Sequence, residues 1–541
     1  MDKNYLWWRD GIIYQIYPRS FADSNGDGIG DLDGITARLD YLQDLGVDAL
    51  WLSPIYPSPD VDFGYDISNY TDVDPKFGSL EGFDRLTNEA HKRGLRVILD
   101  LVLNHTSDQH PWFIESRKSK SNPFRDYYLW GEPKLNGDPP NNWLSVFGGA
   151  GWELDPGTGQ MYFHMFYKEQ PDVNWRNPQV RQYMLDVFKF WLDRGVDGFR
   201  LDVFNACLKH PDLLDNPPAA LKLRPESLLP FFRMQHIHDI DSPDLVPLLG
   251  EIRKILDSYG DTYVVGETFL GGPETAAGYT GSDRLHAAFN FDFLRCSWWA
   301  RAFFQSIQGW DSLLGSDGWP NYVLNNHDTV RSATRFVRGE DDDRLKVAAA
   351  MLLSLRGTPF MYYGEDIGMR NISLTRDQIK DPIGRRFWPI SVGRDGCRAP
   401  MQWSAAPNAG FAPPHTETWL PLHPDYQTRN VMNQQADPDS LLNWYKRLIA
   451  LRKAHPALRT GSFVPLTQGT NFVLAYLRPA ENEAVLVAFN FSSRRQRLVL
   501  GPEQASRSWS LLLSNRRSSM VPVESDVIPL EPYEAIFLRQ S

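Results

Sequence analysis

The sequence predicts an α/β fold: a (β/α)8 TIM barrel with an inserted subdomain after its third strand and a C-terminal antiparallel β domain. Three observations point there. Eight apolar, β-rich runs alternate with helical patterns, which implies parallel pairing and, at that count, a closed barrel. Four of those runs stop abruptly at a carboxylate, an imidazole or both: DLVLNH (100–105), GFRLDVFN (198–205), VGETFL (265–270) and NNHDTVR (325–331). Late in the chain the pattern changes to short alternating runs, FVLAYLRP, AVLVAFNF and EAIFLRQ, which read as antiparallel strands.

In chain order, the expected barrel strands are GIIYQIYP (11–18), ALWLSPIY (49–56), LRVILDLVL (95–103), GFRLDVF (198–204), TYVVGET (262–268), LHAAFNFDF (285–293), NYVLNNHD (321–328) and TPFMYYGEDI (358–367). Between them lie helical segments such as LDGITARLDYLQDLG (32–46) and LEGFDRLTNEAHKRG (80–94), whose apolar residues recur at three and four. Each closes on glycine, a common helix C-terminus. Three connections are too long for a simple barrel. The segment 104–172 is rich in Pro, Gly, Asn and Trp and reads as an irregular subdomain over the barrel mouth. Further insertions follow the fourth strand (205–245) and the eighth (368–440). A helix over 441–458 should finish the barrel, which places the catalytic barrel at 1–103 and 173–458 and the β domain at 459–541.

The chain has 541 residues, 42% hydrophobic and 23% charged, enough for a large core and more than one domain. A net charge of −11 argues against nucleic acid or an anionic membrane as partner, since both reward clustered Lys and Arg. Three scattered cysteines form no disulfide framework or CxxC pattern, which suits a reducing compartment. The N-terminus, MDKNYLWWRDGIIYQIYPRS, shows no basic region followed by an apolar one, and no long apolar stretch occurs elsewhere. A cytoplasmic location is the expectation. Oligomeric state is not legible.

Acids gathered at strand tips destabilise a fold by mutual repulsion, so their grouping points to catalysis. In GFRLD, strand alternation puts Arg200 and Asp202 on one face, where the guanidinium favours an ionised carboxylate. Glu267 has no cation nearby in sequence. If it converges with Asp202 and Asp328, like charge should keep it protonated as a general acid. Two carboxyl groups pushed apart in pKa are the usual requirement for glycosidic bond cleavage. Any one such acid taken alone is as readily a solvated or ion-paired loop carboxylate; four motifs on barrel strands outweigh that reading.

These four motifs, in this order, resemble the catalytic signature of glycoside hydrolase family 13, the α-amylase superfamily. WWRDGIIYQIYPRSFADSNGDGIGDLDGI (7–35), DFGYDISNY (62–70), QPDVNW (170–175) and RAPMQW (398–403) are similar to its bacterial α-glucosidase and oligo-1,6-glucosidase branch. The resemblance implies Asp202 as nucleophile, Glu267 as general acid/base and Asp328 as the acid stabilising the transition state. It implies a terminal glucose held by Asp66 and stacked on Tyr65, in a pocket also lined by His105, Arg200, His327 and Arg398, with Phe147 and Phe166 as wall candidates. The branch commonly reads RTPMQW followed by an acid or amide. This chain reads RAPMQWS, so Arg398 is kept while the acceptor side is open to difference.

The implied activity is that of a retaining, exo-acting α-glucosidase acting on short α-glucosides, and no organic cofactor is implied. The α-1,4 linkage is preferred or specificity is broad, with transglucosylation wherever a sugar hydroxyl replaces water. Val203, after the nucleophile, tends to accompany α-1,6 specificity. However, FWLDRGVDGFRLDV and MLLSLRGTPFMYYGEDIGM look closer to enzymes of α-1,4 or broad preference. The alternatives are an oligo-1,6-glucosidase and an isomerase or transferase of the same superfamily, such as a trehalose-forming enzyme. A non-catalytic barrel serving as a binding module is disfavoured, because all three acids are present.

In DSNGDGIGD (23–31), Asp23, Asn25 and Asp27 alternate, Gly28 permits a sharp turn, Ile29 can offer its carbonyl and Asp31 follows. That is a hard-cation oxygen pattern like the first half of an EF-hand loop, although Gly34 stands at the twelfth position. The bland alternative is a metal-free Gly/Asp turn. The resemblance supports one structural Ca²⁺.

Overall fold

Eight parallel strands form one sheet in the computed structural model, which describes residues 5–219, 229–289, 291–314, 318–337, 339, 341–467, 470–519 and 526–540. The strands are β1 (Ile13–Ile16), β2 (Ala49–Leu52), β3 (Arg96–Val102), β4 (Gly198–Asp202), β5 (Tyr263–Gly266), β6 (Ala287–Ala288), β7 (Asn321–Val323) and β8 (Thr358–Tyr362). Their order is β7-β8-β1-β2-β3-β4-β5-β6, a barrel nearly closed, with β6 and β7 as its unpaired edges among the described residues.

Side chains alternate along each strand, so every second residue enters the lumen. The lower lumen is packed with Ile13, Ala49, Trp51, Ile98, Val265, Ala287, Val323 and Phe360, all nearly inaccessible to solvent. One step further along the strands the lining turns polar, with Gln15 two residues past Ile13, Asp100 two past Ile98 and Arg200 two past Gly198. A packed apolar floor beneath a charged layer is what supports chemistry at the C-terminal mouth.

The strands are shorter than the sequence suggested: Glu267, His327 and Asp328 lie in loops just beyond them, while Asp202 ends β4. The expected sixth strand, 285–293, shrinks to Ala287–Ala288. Phe291–Arg295 is helical, and Asn290 lies outside the described residues. Apolar runs this short carry no period that separates strand from helix. The helix expected over 32–46 divides into Leu32–Thr36 and Leu39–Leu45. Arg38, at the break, reaches over the Trp403 ring at 4.3 Å. The Leu80–Lys92 helix is capped by the Ser79 side chain and followed by Gly94 at φ +75°.

Within 104–172, three short strands, Trp130–Gly131, Met161–Phe163 and Trp152–Leu154, make a small antiparallel sheet. The Leu441–Ala454 helix is capped by Ser440 and stops before Pro456. Beyond it lies a five-stranded antiparallel sheet and a separate two-stranded ribbon. The sheet is fastened to the barrel by the Tyr476 hydroxyl, 2.6 Å from Ser354 Oγ, and by Arg478, which donates to the Ser354 carbonyl. Among the described residues, no helix is long and apolar enough to cross a membrane.

Candidate active site

Arg200 organises the polar layer. At Gly198 a Cβ would meet the Tyr263 carbonyl oxygen at 2.3 Å, so only glycine permits the approach of β4 to β5. Arg200 stands in register with Asp100 of β3. Its Nη1 lies 2.6 Å from Asp100 Oδ1 and 2.6 Å from Asp202 Oδ1, and its Nη2 donates to Glu267 Oε2. One buried cation thus serves three carboxyl groups. Burial, reinforced by Asp202 and Asp328 against Arg200, raises Glu267 well above the usual carboxylate range. Burial likewise pushes Asp100 up.

Asp328 goes the other way. It sits in the loop after β7, turned by its backbone N–H donating to Asn326 Oδ1 at 3.0 Å. Arg398 Nη2 lies 2.9 Å from its carboxylate and Arg394 Nη1 3.6 Å away. Burial alone would raise it, but His327, Arg394, Arg398 and Arg200 outweigh burial and hold it well below the ordinary range. Two carboxyl groups are thus pushed in opposite directions, the division of labour that acid-assisted bond cleavage needs.

The remaining sequence candidates fall into three groups. Tyr65, His327, His105 and Arg398 are brought together with the acids. The Tyr65 hydroxyl lies 3.0 Å from Asp100 Oδ2 and 2.6 Å from His327 Nε2, and its ring lies parallel to the His327 ring at 5.3 Å. His105 Nε2 lies 3.0 Å from the Tyr65 carbonyl, and burial lowers its pKa. Arg398 Nε donates to the His327 carbonyl at 2.8 Å. Phe166 packs on His105 at 5.2 Å, while Phe147 lies one ring further out, 5.7 Å from Phe166.

Asp66 is the correction. Its carboxylate accepts from Ser58 Oγ at 2.8 Å, Val61 N at 2.9 Å and Asp62 N at 3.0 Å, inside the turn 58–66. Fully buried there, it is raised to about 6 chiefly by desolvation and has no face open to a ligand. Asp62, four residues earlier, turns instead toward Arg394. The backbone between them turns at Phe63 (φ +51°) and Gly64 (φ +102°), so the two acids diverge. Asp62 pairs with Arg394 at 2.6 Å, and the same guanidinium bonds Asp381 at 3.0 Å. Asp62, Arg394, Asp100 and Gln15 were all missed in sequence. Asp62 and Asp100 lay inside quoted motifs, and Arg394 lay four residues before Arg398. Gln15 carried no signal until the β1 register put it in the lumen.

The segments 104–172 and 368–440 touch where Arg386 Nη1 donates to the Gly148 carbonyl at 3.3 Å. Val203, after Asp202, adopts φ +39°, a conformation β-branched residues rarely take. Its side chain packs with Phe166, Ala206, Phe231 and Ile240.

The loop 23–31 is folded around its own carboxylates. Asp23 accepts from Gly26 N at 2.6 Å and Gly28 N at 2.8 Å, Asp27 from Ile29 N at 2.8 Å, and Asp31 from Ser24 N at 2.9 Å and Gly34 N at 2.7 Å. Among the described residues no three acid, imidazole or thiol side chains gather closely enough to hold a metal alone. Among the same residues no lysine or arginine pairs with Asp23, Asp27 or Asp31. Carboxylates without a neighbouring cationic side chain, with the Asn25 amide and Ile29 carbonyl oxygens, are the donor types a hard cation takes.

Known proteins resemble this chain over most of its length. Residues 15–461 match the model of the alpha-amylase catalytic domain. A probable alpha-glucosidase of Rhizobium meliloti is 45% identical, with 90% of this chain and 89% of that protein covered. An oligo-1,6-glucosidase of Parageobacillus thermoglucosidasius is 40% identical over 98% of each chain. The crystal structure of the alpha-glucosyl transfer enzyme XgtA superposes with a TM-score of 0.92 at 40% identity, covering 99% of this chain and 100% of that one. The chain belongs to the α-amylase family of glycoside hydrolases, in its bacterial α-glucosidase branch.

Proposed function

We propose that this protein is a retaining, exo-acting α-glucosidase that takes a terminal glucose from short α-glucosides. The observation that carries the mechanism is the Arg200 guanidinium, bonded to both Asp202 and Glu267. Carboxyl groups sharing one guanidinium suit the ~5–5.5 Å separation of double displacement, not the ~6.5–9.5 Å that leaves room for a water. In this reading Asp202 attacks the anomeric carbon while the protonated Glu267 gives its proton to the leaving oxygen. Glu267, now ionised, takes a proton from water, whose oxygen displaces Asp202 and restores the α-configuration. Asp328, ionised and adjacent, stabilises positive charge developing on the sugar ring.

Exo action would follow if the two insertions, which touch through Arg386 and Gly148, narrow the mouth to a pocket for one terminal sugar. Asp62 with Arg394, together with His105, His327 and Arg398, supplies hydrogen-bonding groups for the terminal sugar, and Tyr65 an aromatic face. The preferred linkage is α-1,4 or broad, since the relatives include proteins named for both α-glucosidase and oligo-1,6-glucosidase activity. Transglucosylation joins hydrolysis where an acceptor hydroxyl outcompetes water, as the name of the XgtA neighbour suggests. Ca²⁺ in the loop 23–31, held by Asp23, Asn25, Asp27, Asp31 and the Ile29 carbonyl, braces the first connection without joining the chemistry. Initial rates on maltose, isomaltose and sucrose test the reading. Release of glucose from none of them would overturn it.

A further inference from the structure

His327 is enclosed by groups that leave its protons one arrangement. The ring is nearly inaccessible, and burial, with Arg398, Arg200 and Arg394 near, lowers its pKa to about 3 against the opposing pull of Asp328. A neutral ring carries one proton. Nε2 lies 3.2 Å from Asp328 Oδ2, an ionised carboxylate that can only accept. It also lies 2.6 Å from the Tyr65 hydroxyl, whose own proton goes to Asp100 Oδ2 at 3.0 Å. The Tyr65 bond therefore takes the proton on Nε2, and the nearby Asp328 charge disfavours a lone pair there, which leaves a bare lone pair at Nδ1.

At Nδ1 stands Gln15, its amide nitrogen 2.9 Å away. The same nitrogen lies 3.2 Å from Ser53 Oγ, so both amide hydrogens are used. Gln15 is 1% exposed, and its backbone is fixed on both sides by β1 pairing with Trp51 and Tyr362. A lone pair left unmet in so buried a place is costly, and the other tautomer would turn a second lone pair on Asp328. We infer that Gln15 is a positioning residue that fixes His327 as its Nε2–H tautomer, turning an N–H, not a lone pair, toward Tyr65, the Asp328 charge and the bound sugar. The inference deepens the α-glucosidase reading and rests on it.

Two substitutions separate this role from simple packing. Gln15→Met keeps length and bulk but removes the donor. Its kcat/KM on the best α-glucoside should fall about tenfold or more, chiefly in kcat, since the geometry lost is that of Asp328. Gln15→Glu replaces the donor with a carboxylate that draws a proton onto Nδ1 and favours the imidazolium between two acids. The pKa of His327 then rises, and the acid limb of the kcat/KM profile should move to higher pH. A merely structural residue would not move that limb. In wild-type protein labelled with ¹⁵N-histidine, the His327 signal, assigned by its loss in His327→Asn, should show the proton on Nε2. That spectrum decides the matter even if both Gln15 variants fail to fold. A proton on Nδ1, or wild-type kinetics and pH profile in both variants, would overturn the inference. An inactive wild type would instead overturn the α-glucosidase reading, whatever the tautomer.

Discussion

The Arg394 guanidinium lies 2.6 Å from the Asp62 carboxylate and joins the loop after the second strand to the insertion after the eighth. Both side chains are largely buried, at 15% and 7% exposed. Removing one partner of such a pair strands the other's charge, at a typical cost of about 3–5 kcal/mol. Arg394→Ala should therefore lower both Tm and kcat/KM, the latter by roughly two orders of magnitude. Arg394→Lys should recover more Tm than activity, because lysine keeps the charge but not the fork. Scanning calorimetry beside steady-state kinetics measures the two effects. Arg394→Ala with native Tm and KM would contradict the pairing.

Asp66 should behave as a structural acid. Asp66→Asn replaces an acceptor of three hydrogen bonds with an amide that clashes with at least one donor, so Tm should fall by a few degrees while KM changes less than twofold. Asp62→Asn should do the reverse, raising KM most. Equal KM effects at the two positions would return Asp66 to the sugar site.

The pH dependence follows from opposite displacements. Glu267 is raised by burial and by Asp202 and Asp328, so activity should be lost on the alkaline side as that proton leaves. Glu267→Gln should abolish this limb and do most harm on substrates with poor leaving groups. Asp328 is held low and stays ionised throughout the working range, so Asp328→Asn should cut kcat and, by removing a charge that raises Glu267, move the alkaline limb to lower pH. Profiles of kcat/KM on aryl α-glucosides of graded leaving ability check this. An alkaline limb surviving in Glu267→Gln would reassign the acid.

Chelation offers a separate check on the loop 23–31. Removing Ca²⁺ should lower Tm, and Asp23→Ala should reproduce the lowered Tm and no longer respond to chelator. The kcat should change little, because the loop's carboxylates bond their own backbone and none touches Asp202, Glu267 or Asp328. Elemental analysis finding no calcium in the purified protein, with Tm insensitive to added Ca²⁺, would remove the metal.

The barrel and its acids were legible because a buried parallel strand ending in a carboxylate has few other readings. Arg200 and Asp202 followed from alternation within one strand. Asp100 did not, since its bond to Arg200 depends on the β3–β4 register, which no single strand encodes. Arg394 was hidden for a similar reason: it reaches the site from an irregular insertion, where no period constrains position. Asp66 misled because the DFGYD motif offers two acids, and only the positive φ at Phe63 and Gly64 decides which one turns to Arg394. The sixth strand failed on length, as its apolar run passes from Ala287–Ala288 into the Phe291–Arg295 helix.

The central claim is that Asp202 attacks carbon directly while Glu267, on the same guanidinium, supplies the proton. Proton NMR of the first glucose released from an α-glucoside tests it before mutarotation blurs the answer. The account predicts early α-anomer, with Asp202→Asn nearly inactive. Early β-anomer would mean inversion through an intervening water and would contradict it.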